Sequence, residues 1–201
     1  MRKWLLVIIG LAVLLAGGRP APKEPEGLAL VRVLGVAGAG PVVLTAVCGG
    51  EDQADQSRGQ CAGTDFDDAL AGLPWSGKEE LSLTSVSWLI VSRDVELDGV
   101  LAAALRNPEL GAAATVWLAE EGAAGLLGLC ADPASALELL ERRGIQAPTV
   151  VQALAALEDG TLTLPLLAGA EDGPALRGRV LSHIHKNDPT RHSHLGDAGM
   201  G

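Results

Sequence analysis

The side chains in this chain best suited to chemistry are its histidines, cysteines and clustered carboxylates. All four histidines, His183, His185, His192 and His194, stand near the carboxyl terminus. His-x-His, present twice, is a pattern that chelates a transition metal. A working metal centre also needs outer groups that hold each ring in place. The intervening Lys186-Asn-Asp-Pro-Thr-Arg191 supplies little rigidity, so no metal site is expected. With no histidine earlier in the chain, Ser-His-Asp and Cys-His constellations cannot be built from its body. The cysteines, Cys48, Cys61 and Cys130, are odd in number, which is no disulfide framework. Cys48 and Cys61 bracket a polar stretch, and either a disulfide closes that loop or both stay as thiols. Cys130 reads as a small core residue.

The carboxylates are plentiful but scattered. Asp65, Asp67 and Asp68 follow Thr64 closely. The spacing and glycine of a calcium loop are missing, so these acids read as first-turn carboxylates facing a helix dipole. A hydrolase would have to draw on acids such as Asp94 or Asp98, yet the sequence places no pair of them in a cleft. Gly35-x-x-Gly38-x-Gly40 tempts a dinucleotide reading, but Pro41 leads into another strand where a helix would be required. There is no P-loop, zinc motif or nucleophile elbow. The expectation is therefore a non-enzyme, with no catalytic, cofactor-binding or metal residue assigned. A formal charge of −10 repels phosphate backbones, which argues against a nucleic-acid partner.

The elements that must position these residues can be read from periodicity. Leu28-Ala-Leu-Val-Arg-Val-Leu-Gly35 and Pro41-Val-Val-Leu-Thr-Ala-Val-Cys48 flank a glycine-rich turn and predict a β-hairpin. Residues 49–63 are polar and predict a loop. Thr64 predicts the cap of a short helix over 65–73. Residues 81–92 alternate and then become wholly apolar, which predicts one strand entering a sheet interior. Leu97, Val100, Leu101, Ala104 and Leu105 predict a helix that Asn107-Pro108 stops. A strand over 113–119 and a small helix over 123–129 follow. Asp132-Pro133 opens a helix closed by Gly144, and Pro148 opens another to about residue 157. Residues 161–167 predict a strand, placed at an edge by Pro165. The fold class is α/β (α+β), a mixed sheet with helices packed on it.

Ahead of this body, Arg2 and Lys3 precede an unbroken apolar run over 4–16 of about 13 residues, the length of a signal h-region. A helix crossing a bilayer needs about 20. Leu15-Ala16-Gly17-Gly18 has the frame of a lipobox but offers glycine where the lipid-bearing cysteine would stand. Residues 1–18 therefore read as a signal peptide or an uncleaved membrane anchor, and the proline-rich residues 19–26 as a linker. Both choices export the domain.

The body resembles the C subunit of bacterial spore germinant receptors, the Ger(x)C family. Glu26-Gly-Leu-Ala-Leu-Val-Arg-Val-Leu-Gly35 resembles that family's opening strand, and Gly63-Thr-Asp-Phe-Asp-Asp-Ala-Leu70 its first helix start. Residues 81–92 are similar to its central strand. Leu105-Arg-Asn-Pro-Glu109 is similar to its helix ending, which marks Arg106, Asn107, Pro108 and Glu109 as family-motif positions. Residues 113–127 and 161–167 resemble its next strand, small helix and Leu-Pro-Leu-Leu stretch. The resemblance implies a domain over 27–168 in a truncated relative lacking the lipobox cysteine, and the apolar pattern that fades beyond it makes 169–201 read as a mobile polar tail. It implies a membrane-associated subunit acting by protein contact with membrane-embedded A and B subunits, on the outer face of the cell or spore inner membrane. The alternative is a general exported envelope binding module unrelated to spores.

Overall fold

The computed structural model describes residues 28–38, 40–49, 57–73, 80–170 and 173–181. The leader, the linker and the four histidines lie outside these residues. In chain order the elements are β1 (Leu28–Ala37), β2 (Val42–Cys48), β3 (Arg58–Gly63), α1 (Phe66–Gly72), β4 (Glu80–Ser82), β5 (Trp88–Ser92) and α2 (Leu97–Arg106). They continue with β6 (Thr115–Ala119), α3 (Ala123–Leu129), α4 (Pro133–Arg142), α5 (Val150–Glu158), β7 (Thr163–Ala170) and β8 (Gly173–Leu181). The strands form one mixed sheet in the order β3-β2-β1-β5-β6-β7-β8, with β4 beside the start of β1. The run β1-β5-β6-β7 is parallel. β2 is antiparallel to both its neighbours, and β8 is antiparallel to β7.

Parallel strands covered on both faces must be apolar on both faces. In β5 all five residues, Trp-Leu-Ile-Val-Ser, are buried. The pleat sends Leu89, Val91, Val116 and Leu118 to one face and Trp88, Ile90, Trp117 and Ala119 to the other. The first face packs under α1, α2 and α5 through Phe66, Leu70, Leu101, Ala104, Ala153 and Leu157. The second packs under α3 and α4 through Ala123, Leu127, Leu137 and Leu140. The molecule thus has three layers, helices–sheet–helices. Among the described residues, no single helix is long and apolar enough to cross a membrane.

Local signals set most helix ends. Asp132 accepts the Ser135 N–H at 3.0 Å ahead of Pro133 in the first turn of α4. Thr149 and Gln152 form a reciprocal capping box on α5. On α1 the cap is Asp65, one residue beyond the expected Thr64.

Four other expectations differ from the structure. The single strand over 81–92 is two short strands, because Leu83 and Val86 close a turn between β4 and β5. The polar loop ends in β3, whose ladder with β2 requires main-chain partners but no apolar side chains. Pro165 lies inside the sheet. The β6–β7 ladder contains only Leu118–Leu166 and Ala119–Leu167, so the N–H that Pro165 lacks falls just outside it. The folded body also continues past residue 168. β7 runs to Ala170, and β8 occupies 173–181 of the stretch expected as tail. β8 is an edge strand ordered by eight residue pairs with β7, which a weak apolar alternation does not announce.

Candidate functional site

In open α/β sheets, ligands enter the crevice outside the carboxyl ends of the parallel strands. Here that crevice is a cleft of about 500 Å³, bounded by Gly38 after β1, Thr64 after β3, Asp94 to Glu96 after β5, and the Gly99, Ala103 and Arg106 side of α2. Asp65, Asp67, Asp94 and Glu96 make its lining strongly acidic. Two of the acids nearby serve the fold. Asp65 Oδ1 accepts the Asp68 N–H at 2.9 Å, and Asp68 Oδ2 accepts the Thr64 N–H at 2.9 Å. Asp67 Oδ2 accepts from Arg106 Nη2 at 2.9 Å. Both side chains of that pair are more than half exposed, so it contributes about 0–1 kcal/mol. Asp94 and Glu96 have no ion-pair partner among the described residues. The cleft therefore presents uncompensated negative charge and suits a cationic group. Asp98 does not line it; its Oδ1 accepts the Gly99 N–H at 2.8 Å. Among the described residues no three of His, Cys, Asp and Glu are grouped to hold a metal.

The four family-motif positions divide in two. Arg106 reaches the cleft. Asn107 is a helix stop: its N–H donates to Ala103 O at 3.1 Å, and its Oδ1 accepts the N–H of Glu109 at 2.8 Å and of Leu110 at 3.3 Å. Pro108 and Glu109 are exposed in the turn that follows.

No disulfide joins Cys48 and Cys61. Cys61 lies opposite Leu44 in the β2–β3 ladder, four positions along β2 from Cys48. Four strand residues span about 13 Å, whereas a disulfide tolerates Cα atoms about 7 Å apart at most. Cys130 is buried behind α3, and burial pushes its thiol above its ordinary 9.0.

A second cleft, of about 540 Å³, lies at the opposite, amino-terminal ends of β5 and β6. Its lining includes Arg32, Ser85, Ser87, Trp88, Thr115 and Glu141. Glu141 Oε1 accepts from Trp88 Nε1 at 3.0 Å and from Thr115 Oγ1 at 3.2 Å, and Thr115 Oγ1 accepts from Trp117 Nε1 at 3.0 Å. The Arg32 guanidinium lies over the Trp88 ring, 5.3 Å from its centroid. Sequence reasoning missed this cluster. The available signal was two tryptophans on adjacent strands, since a buried indole N–H requires an acceptor from elsewhere. No family model, curated protein or solved structure matches this chain.

Proposed function

We propose that this domain is a non-enzymatic, membrane-associated subunit or accessory protein of a spore germination complex. It works by contact with membrane-embedded receptor subunits of the A and B type. One observation carries the reading. The segments that resemble the germinant-receptor C subunit coincide, in the same order, with β1, α1, β5, α2 with its Asn107 stop, β6 with α3, and β7. These elements share one sheet and its two helical layers. The apolar residues 4–16 hold the domain at the outer face of the cell or spore inner membrane, or release it after cleavage near Gly18. Amino-terminal sequencing of the membrane-bound protein distinguishes the two: a chain beginning at Arg19 rules out the anchor.

The test is capture of the tagged chain from spore inner membranes, together with nutrient-triggered germination in a deletion strain. Co-purification of membrane-embedded receptor subunits and slowed germination are the expected results. Normal germination without such partners overturns the proposal. The acidic cleft favours a second reading, a general exported envelope module that binds cationic groups. Expression that is constant through growth, and not linked to the forespore, would favour it.

A further inference from the structure

The cleft at the amino-terminal ends of β5 and β6 carries a feature that the contact reading does not use. Arg32 sits at a bulge. Val31 pairs with Cys48 and Val33 with Val47, so β1 advances two residues while β2 advances one, and Arg32 is the extra residue. The consequence appears in the core: Val31 and Val33, two apart, pack on opposite faces of the sheet. Bulges of this kind re-aim a side chain and recur beside functional sites. The re-aimed arginine is then held. Its guanidinium lies over Trp88, and its stem passes so close to Gly49 that a Cβ there would stand 2.8 Å from Arg32 Cγ. Gly49 thus leaves room that no other residue type leaves.

Arg32 has no carboxylate partner among the described residues. Two glutamates line the same cleft; one is paired with a cation, and the other is held by neutral donors that turn its oxygen toward the protein. Glu138 pairs with Arg142 one helical turn on, and Glu141 accepts from Trp88 and Thr115. What remains toward the opening is a planar cation fixed on an aromatic ring, with Ser85 and Ser87 in the same lining; the Ser87 hydroxyl already donates to Ser85 O at 3.3 Å. A guanidinium so placed offers paired N–H donors matched to an oxyanion. We propose that this cleft binds a small ligand bearing a carboxylate or a phosphate, gripped by Arg32 beside Ser85. This assignment stands apart from the spore reading and survives if that reading fails.

The experiment titrates the ¹⁵N-labelled 201-residue chain with acetate and, separately, with inorganic phosphate, against chloride at matched ionic strength. The readout is the indole N–H resonance of Trp88. A saturable shift with either anion, larger at Trp88 than at Trp117, is expected, and the responding anion identifies the ligand class. Absence of a saturable shift beyond chloride with both anions overturns the proposal without reference to any variant. In Arg32→Gln, verified as folded by circular dichroism, affinity should fall about tenfold or more, as loss of a charge-assisted hydrogen bond implies. Unchanged affinity in that variant also overturns it. Arg32→Lys keeps the charge and loses the fork, so it should bind with intermediate strength.

Discussion

Trp88 and Trp117 are buried, and each indole N–H must find an acceptor inside the protein. Glu141 meets that need from α4, directly for Trp88 and through Thr115 for Trp117. Replacing it with leucine strands the Trp88 N–H and leaves the Thr115 hydroxyl only Ser87 O, at 3.4 Å. Glu141→Leu is expected to lower unfolding free energy by about 1–3 kcal/mol, read from urea denaturation. Glu141→Gln, which keeps an acceptor, should lose less. Cys130 provides the pH prediction. Burial disfavours its thiolate in the fold, with smaller influences from Asp132 and Arg58. The folded thiol titrates above the unfolded one, so the native state holds its proton more tightly. The associated stability is full below about pH 9 and declines as pH rises from there through the higher folded value. Denaturation across the alkaline range should show a shallower decline for Cys130→Ala than for the parent. Iodoacetamide at neutral pH should modify half-buried Cys61 before Cys130.

At the scale of elements, close packing of backbone is most demanding where β3 turns into α1. A Cβ on Gly63 would stand 2.7 Å from Ala69 Cα and 2.8 Å from the Asp68 carbonyl carbon. Neither atom can move without shifting the helix. Gly63→Ala should therefore cost about 2–3 kcal/mol, visible as a lowered Tm. Gly72→Ala meets a side chain, Cys61 Sγ at 2.6 Å, which can rotate away, and should cost less. The ends of α5 follow a simpler rule. Thr149→Ala removes the hydroxyl that accepts the Gln152 N–H at 3.3 Å. A loss of about 1 kcal/mol is expected. Arg58 performs a similar task at the other end of a helix: from β3 it donates to Gly128 O and Cys130 O, the carbonyls that α3 leaves unpaired.

For the whole molecule, the last strand is the decisive piece. β8 covers the outer side of β7, packs against α4 near Ala136, and sends Arg177 to Glu120 after β6. A chain ending at residue 172 leaves β7 as a bare edge and uncovers Cys130, which lies against Gly173. It should unfold at a lower temperature, or with less cooperativity, than a chain ending at Leu181, as calorimetry would show. The two clefts at opposite ends of the parallel strands differ in electrostatic character. The carboxyl-end cleft is lined by Asp65, Asp67, Asp94 and Glu96 with Arg106, and the amino-end cleft by Arg32 with Glu138 and Glu141, where Arg32 has no carboxylate partner among the described residues.

The α/β class, the β1–β2 hairpin, the buried run of β5 and the helices α2 to α5 were all legible in the residue order. Each depends on contacts within a few positions: apolar period, glycine turns, an Asp-Pro start, an Asn-Pro stop. β3 and β8 were not legible, because an edge strand is held by a partner far along the chain and its own side chains need not alternate. The same distance hid the sites. Arg106 was singled out as part of a motif, but its meeting with Asp67 requires α1 and α2 to lie side by side. The Arg32–Trp88–Glu141 cluster joins β1, β5 and α4, three segments separated by about half the chain. Sequence by itself determined which segments fold into which elements, since local sterics and periodicity act at short range. Tertiary structure alone decided which side chains meet, because strand order and the β1 bulge set the face and the neighbour of each one.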